Sequence, residues 1–472
     1  MFAAGLAVGL AVAFGGEAWW NTANRAPVAT AQVFENVMSA IRSDFVDSLS
    51  DDELYVKAAK GVVSTLGDPY SSFLGPAEFR SYRDLLRGRG NTLGFTLASG
   101  IAGLWVSSVV PGAPADRAGL KPGDRVIDIG GQPVFDWSLT RATTALRTDS
   151  APVAIRIQPA GDSLPIDLRL EPIAAKMPAV GPVVRLSDSV GYLALRTVSD
   201  NASQEVKDAL VSLEAWKLKA LIVDLRGNLG GRLEEGLAIA DLFLMPGQRI
   251  GTVAKRRLTW GYQAAHADAY PALKLTLLVD RRTASSAEII AAALRDNGRA
   301  TLVGERTYGK GLIQTTIPLG DSIAVRLTTG RWQGPGGRLI AGGLQPDSTV
   351  GLAPWDSALR RSLNRRSPVV SGVLARVAAQ RVAAHWAPDS VRLARSEQDL
   401  LRAELRRAGL ALSHRTIALH RVWFDRELAR LVASSSGRPD AAVRFGLLGD
   451  PVVSAGLAKI AERPLPQSRS DR

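Results

Sequence analysis

Lys274-Leu-Thr-Leu-Leu-Val-Asp280, followed by Thr283-Ala-Ser-Ser-Ala-Glu288 and then by Tyr308-Gly-Lys-Gly-Leu-Ile-Gln314, decides how the chain is read. The first segment is a short apolar run of the kind that forms a buried strand, and Ala287 to Arg295 continues as a helix. Ser285 and Ser286 therefore fall where a strand gives way to a helix. A hydroxyl there lies close to free backbone N–H groups and the positive end of the helix dipole, which suits acyl transfer. Lys310 sits between Gly309 and Gly311, 25 positions after Ser285. A serine nucleophile with a lysine base is one reading. Taken alone, Ser285 with Glu288 three residues on also reads as a capping box, and Lys310 as a solvated surface lysine. As a base the lysine must be neutral, a state favoured by the apolar run Ala300-Thr-Leu-Val-Gly304 before it and Leu312-Ile313 after it. Gln314 can orient the amine only if the chain turns at Gly309 to Gly311, because four extended residues span up to ~14 Å.

Working outward, Ala220-Leu-Ile-Val-Asp-Leu225 is a second continuous apolar run of the parallel, doubly covered type. It leads into Arg226-Gly-Asn-Leu-Gly-Gly231 and the helix Leu233 to Leu242. No Gly-Lys-Ser/Thr follows, so a phosphate loop is excluded, and the turn reads as an oxyanion site where Gly230 and Gly231 let a substrate carbonyl come close. Residues 175–350 thus form an α/β core.

Upstream, Val33, Val37, Ile41 and Phe45, then Tyr55, Ala58, Val62 and Leu66, recur at helical spacing and read as core-facing stripes of an N-terminal helical part, 31–90. Residues 91–172 form a small β-rich unit. Its segment Ala118-Gly-Leu-Lys-Pro-Gly-Asp124 followed by Val126-Ile-Asp-Ile-Gly-Gly-Gln132 resembles a PDZ domain. In such a domain the N–H groups of Leu93, Gly94 and Phe95 would face a peptide's terminal carboxylate while the peptide adds an edge strand. The alternative is that Leu93 and Phe95 simply fill the core of the unit. Ser138 to Leu146 would line the groove.

Composition bounds the rest. The 472 residues contain no cysteine and four histidines, His266, His385, His414 and His420, without a metal-binding spacing, so disulfides, thiolate catalysis and a metallohydrolase are set aside. No metal and no cofactor are expected. The formal charge is +13, and residues 351–472 hold 21 basic against 11 acidic side chains, so any basic partner surface lies there. No RNA- or DNA-binding signature accompanies it, and nucleic acid is not an expected partner. Within this tail (352–472), helices are expected at Val373 to Trp386, Glu397 to Ala408 and Thr416 to Val432, with Ser396 and Asp399 as a cap pair. Intramolecular packing, self-association and a lipid-facing surface all fit this basic extension. The apolar run Phe2 to Gly16, with Trp19-Trp20 after it, reads as a signal peptide or signal anchor over 1–20, and so as a membrane contact and an exported, cell-envelope location.

Leu225-Arg-Gly-Asn-Leu-Gly-Gly231, Thr283-Ala-Ser-Ser-Ala-Glu-Ile289, Asp296-Asn-Gly-Arg-Ala300, Val303 to Gln314 and Gly343-Leu-Gln-Pro-Asp347 together resemble the carboxyl-terminal processing (tail-specific) protease family. The likeness covers about 31–350, including Asp68-Pro-Tyr-Ser-Ser72 and the PDZ-like unit. It implies an α/β multidomain fold, a crotonase-like protease core with an inserted PDZ domain, between N-terminal and C-terminal helical segments. It also implies endopeptidase action on proteins with apolar C-termini. Carried over by motif, Ser285 is the nucleophile, Lys310 the base and Gln314 its partner, with oxyanion donors from Gly230, Gly231 and Ser286. The chain departs from the family where Thr283-Ala-Ser-Ser-Ala-Glu288 replaces Ser-Ala-Ser-Ala-Ser-Glu, which makes Ser286 a competitor; the 25-residue spacing to Lys310 selects Ser285. The usual Asn-Pro-Gly-Gly is Asn228-Leu-Gly-Gly231, and both glycines are kept. Two other functions are weighed against this one: a catalytically inactive PDZ adaptor binding C-terminal peptides, and an esterase or amidase using His266.

Overall fold

The computed structural model describes residues 28–100, 103–134, 137, 139–146, 151–159, 164–350, 367–385 and 392–462. The signal-segment reading of 1–20 and the ends of two expected helices, Ser138 and Trp386, lie outside them. The chain divides into two compact units, one of residues 1–75 and 314–328, the other of 76–313 and 329–472.

In the first unit, α1 (Val28–Asp44) and α2 (Asp51–Ser64) are followed by β1 (Ser72–Leu74). Ser50 starts α2 with a full capping box, its hydroxyl accepting from Glu53 N–H and the Glu53 carboxylate accepting from Ser50 N–H. Residues 72–74 pair antiparallel with 324–326. The stripes expected to be core are instead open to solvent: Val33, Val37, Phe45, Tyr55, Val62 and Leu66 are all exposed, whereas Met38 and Leu54 are buried. Periodicity identified the helices but not what covers them, and two helices with a short sheet supply too little partner surface within this unit.

The second unit begins with α3 (Pro76–Leu86) and β2 (Arg89–Thr92), then the small β-domain: β3 (Phe95–Gly100), β4 (Gly103–Val109), α4 (Pro114–Arg117), β5 (Arg125–Ile129), β6 (Gln132–Pro133), α5 (Leu139–Ala145), β7 (Val153–Gln158) and β8 (Ile166–Leu170). Its sheet runs β3-β4-β5-β7-β8, so β3 is an edge strand among the described residues. Leu97, Leu104, Val106, Val126, Ile155 and Ile157 fill its core. The chain leaves through β9 (Ile173–Lys176), which pairs antiparallel with β2 and closes the entry and exit of the insertion side by side.

The α/β core follows: β10 (Val180–Arg185), β11 (Val190–Leu195), α6 (Ala202–Glu214), β12 (Ala220–Asp224), α7 (Leu233–Asp241), β13 (Arg249–Lys255), β14 (Thr259–Gln263), β15 (Lys274–Val279), α8 (Ser286–Asp296), β16 (Ala300–Gly304), β17 (Leu312–Pro318), β18 (Ala324–Gln333) and β19 (Ser348–Thr349). The central sheet has the order β10-β11-β12-β15-β16-β19 and is parallel from β11 onward. Side chains alternate between faces along each strand. Leu221 and Val223 of β12 therefore join α6, α7 and α8 on one face. Ala220 and Ile222 point to the other.

That second face is covered by the tail. Beyond 350 come α9 (Ser367–Ala383), α10 (Arg395–Arg407), α11 (His414–Leu419), α12 (Arg421–Ser435), α13 (Pro439–Leu448) and α14 (Pro451–Glu462). Helices α9 to α12 share a core around Leu374, Val377, Leu401, Leu405, Phe424 and Leu428. Val443, Leu447, Val452, Val453 and Ile460 of α13 and α14 pack with Tyr192, Ile222, Leu278 and Val303 of the sheet, and Trp105 of β4 joins them. Among the described residues most of the tail's apolar side chains pack within the chain, while Leu419 and Val422 stay exposed. The expected Ser396–Asp399 cap is not used: Ala394 stands at the N-cap and its N–H is held by Glu397. No single helix among the described residues is long and apolar enough to cross a membrane.

Candidate active site

Parallel strands end at one edge of the sheet, and the turns there converge. Three of them meet here: 225–231 after β12, 280–286 after β15 and 305–311 after β16. Asp280 takes the Gly227 N–H at 3.0 Å, Thr283 Oγ1 donates to the Leu225 carbonyl at 3.0 Å, and the Ala284 N–H donates to the Asn228 carbonyl at 2.9 Å. The Tyr308 N–H donates to the Thr283 carbonyl at 3.0 Å and brings the third turn in.

Ser285 opens α8 with φ 59° and ψ −124°, a conformation an L-residue adopts only when its surroundings impose it. Only the Glu288 half of the capping box forms: the Glu288 carboxylate accepts the Ser285 N–H at 2.9 Å, while the Ser285 hydroxyl makes no cap hydrogen bond. The hydroxyl is thereby left available. Ser286 is different, 1% exposed, with its Oγ buried and without a hydrogen-bond partner among the described residues. Its side chain faces Gly236 of α7, where an added Cβ would lie 3.0 Å from the Ser286 Cβ.

Glu288 is the residue that sequence reasoning undervalued. It is wholly buried, and its two oxygens accept from four donors: Oε2 from the N–H groups of Ser285 and Lys310, and Oε1 from the Gly309 N–H at 2.7 Å and the Thr307 hydroxyl. Thr307 Oγ1 accepts in turn from the Leu344 N–H at 2.7 Å. Burial pushes the Glu288 carboxyl above its ordinary range, opposed by these hydrogen bonds. An acidic residue at the third helical position was the only signal in the sequence, and it is the same signal a plain cap gives.

Lys310 is half-buried, and the expected turn is present, with Gly309 at φ 93° and the Gly311 N–H donating to the Gly309 carbonyl at 3.1 Å. Gln314 lies in β17, in the smaller unit, with its side-chain nitrogen buried and lacking a partner among the described residues.

The glycine turn abuts the serines. A Cβ built on Gly230 would lie 2.7 Å from the Ala284 carbonyl oxygen, 2.8 Å from the Ser285 Cβ and 2.9 Å from the Ser286 nitrogen. The Gly230 N–H, expected as an oxyanion donor, is engaged by Asn228 Oδ1 at 2.8 Å because Asn228 folds back over its own turn. The N–H groups of Gly231 and Ser286 meet no acceptor among the described residues.

In the PDZ-like unit, Leu93 is buried in the core, and the Gly94 N–H donates to Thr92 Oγ1 at 2.9 Å. Gly94 has φ 82°, and a Cβ there would lie 2.1 Å from the Ala113 Cβ. Phe95 begins the edge strand, partly buried against the same core. His266 is 82% exposed and bonded to Asp241, at the far end of α7 from the glycine turn, roughly 12 Å along a nine-residue helix. Among the described residues no three potential ligands form a metal-binding group.

Two family models match the chain: Peptidase family S41 over residues 189–350 and PDZ domain over 84–158. A probable CtpA-like serine protease of Staphylococcus aureus is 28% identical over 342 residues, 71% of this chain and 68% of that protein. The carboxy-terminal processing protease CtpA of Bacillus subtilis is 30% identical over 294 residues, 62% of each chain. A solved photosystem II D1 C-terminal processing protease aligns over 70% of this chain and 90% of its own, at 26% identity and a TM-score of 0.44. The two matched domains and these relatives make the chain a serine-type peptidase carrying a PDZ domain. Residues 189–350 match peptidase family S41, and the chain is similar to CtpA-like carboxyl-terminal processing proteases.

Proposed function

We propose that Ser285 is the nucleophile, Lys310 the general base and Gln314 the partner that orients the lysine. The observation that carries this reading is the Glu288 carboxylate, whose Oε2 takes the N–H of both Ser285 and Lys310 and so ties the two together. Ser285 is favoured over Ser286 by its strained backbone and uncapped hydroxyl, whereas Ser286 turns into the contact with Gly236. Neutral Lys310 takes the Ser285 proton as Oγ attacks the scissile carbonyl. The oxyanion is held by the N–H groups of Gly231 and Ser286, with bare Gly230 leaving room for it. Collapse breaks the C–N bond, and the protonated lysine gives its proton to the leaving amine. Water, deprotonated by the same lysine, then attacks the acyl-enzyme and releases the new C-terminus.

Substrates are proteins or peptides whose apolar C-termini add to the free edge of β3, with the carboxylate at the Leu93-Gly94-Phe95 loop. The edge of β3, unpaired among the described residues, and the tight Gly94 turn support this. The apolar run Phe2 to Gly16 supports an exported, envelope-associated enzyme anchored or guided there by its N-terminal segment. The test is incubation with a protein bearing an apolar C-terminal tail, with product masses read out. Ser285→Ala abolishes cleavage with an unchanged circular dichroism spectrum, and Ser286→Ala retains it. Retained cleavage by Ser285→Ala refutes the reading, and binding of tail peptides with no turnover by the wild type would make the chain an adaptor.

A further inference from the structure

The tail beyond 350 lies outside both matched domains, yet it reaches the turn that carries Gly230 and Gly231. Asp450 joins α13 to α14, and its two carboxylate oxygens do different work. Oδ1 accepts the N–H groups of Val452 and Val453, at 2.8 and 3.3 Å, and caps α14. Oδ2 accepts from Arg226 Nη1 at 2.8 Å. The rest of the Arg226 guanidinium is bound by Asp224: Nε lies 2.9 Å from Oδ1 and Nη2 2.7 Å from Oδ2. The Arg226 N–H also donates to Asp224 Oδ1 at 2.9 Å. Both carboxylates are largely withdrawn from water, with side-chain exposures of 3% for Asp224 and 14% for Asp450. Arg226 opens the segment Gly227-Asn228-Leu229-Gly230-Gly231, and Asn228 in its middle accepts the N–H of Ala284, the residue before Ser285.

We propose that Asp450 is a positioning residue for the peptidase reaction: through Arg226 it fixes the glycine turn against Ser285, which makes the C-terminal helices part of the catalytic unit. This rests on the Ser285 reading above. Arg226 held by Asp224 alone is anchored at one side of the guanidinium, on its own strand. Asp450 anchors the other side to an element across the sheet, which stops the side chain, and the turn that starts with it, from swinging. A misplacement of about 1 Å at an oxyanion site is enough to cost about 100-fold in rate.

Asp450 also caps a helix, so the experiment separates the two roles in the full-length protein. Asp450→Ser keeps a capping hydroxyl but cannot reach Arg226, whereas Val453→Ala removes packing under α14 and leaves both Asp450 interactions in place. The expected result is that Asp450→Ser lowers kcat about tenfold or more with KM within about twofold and a melting temperature close to wild type. Asp450→Glu, which restores an acceptor for Arg226, recovers most of the loss. Val453→Ala lowers the melting temperature but keeps kcat when assayed well below it. Wild-type kcat in Asp450→Ser overturns the proposal, as does a loss of kcat that tracks melting temperature equally in both variants. Should Asp450→Ser fail to fold, Asp450→Asn carries the same comparison, since one amide can serve the cap or Arg226 but not both. Full activity in Ser285→Ala would instead sink the underlying reading.

Discussion

Ser285 and Lys310 share one hydrogen-bond acceptor: Glu288 Oε2 takes the backbone N–H of each at 2.9 Å. The two residues are 25 apart in sequence, on turns after different strands, and a buried carboxylate joins their backbones directly. The same carboxylate holds Gly309 and Thr307, so one side chain organises the whole 307–310 turn.

Replacing Glu288 by Gln puts an N–H2 group where two of these four donors need an acceptor. Each donor left unpaired costs about 1–3 kcal/mol, and activity falls because Lys310 loses its register with Ser285. The pH dependence has a definite sign. The folded protein holds the Glu288 proton more tightly than the unfolded chain does, because burial raises the carboxyl. Its contribution to stability is full below the unfolded value of about 4.3 and is lost as pH rises through the higher folded value. Urea unfolding across that window tests this: the falling slope should be absent in Glu288→Gln.

Backbone strain at Ser285 makes a second prediction. Glycine occupies φ 59° without the cost of about 1–3 kcal/mol that a side chain pays there, against the roughly 0.5–1 kcal/mol of extra freedom it loses on folding. Ser285→Gly should therefore be inactive but more stable by about 1 kcal/mol, while Ser285→Ala, which keeps the Cβ, should be inactive and near wild type in stability. Thermal unfolding of the pair decides it; a less stable Ser285→Gly would show that the strain is not there.

Gly230→Ala should be severely impaired. The new methyl would sit within 2.9 Å of the Ala284 carbonyl oxygen, the Ser285 Cβ and the Ser286 nitrogen, at φ 86°. Relief requires moving the glycine turn away from Ser285, and kcat/KM should fall by about 100-fold or more, with about 1–3 kcal/mol of stability lost. Steady-state kinetics on the folded variant check this.

The docking of the tail on the PDZ domain can be probed at Gly446 of α13, where a Cβ would lie 2.3 Å from the ring of Trp105. On the same face Arg430 donates to the Gly123 carbonyl at 2.6 Å and pairs with Glu427 at 2.7 Å, and burial pushes the neighbouring Arg125 guanidinium down to about 10, with Glu427 opposing. Gly446→Val should cost about 1–3 kcal/mol and expose the Trp105 ring. Trp105 quenching by acrylamide, against a Gly61→Ala control with open space around it, reports it; unchanged quenching would count against this docking.

The sequence by itself carried the parallel α/β core, the inserted PDZ domain and the serine, lysine and glycine-turn motifs. Buried parallel strands are apolar without interruption, and tight turns need glycine, so both leave local marks at fixed spacing. Tertiary structure alone decided which surface each apolar stripe meets. The stripes at Val33 to Leu66 are exposed, while α13 and α14, which the sequence did not single out, cover the second face of the sheet. It also decided what Ser285 and Glu288 do together. Serine followed by glutamate three residues later spells a helix cap in any chain; only the approach of the turn at Lys310, brought by β16, adds three donors to the capped Ser285 N–H and gives one buried carboxylate four.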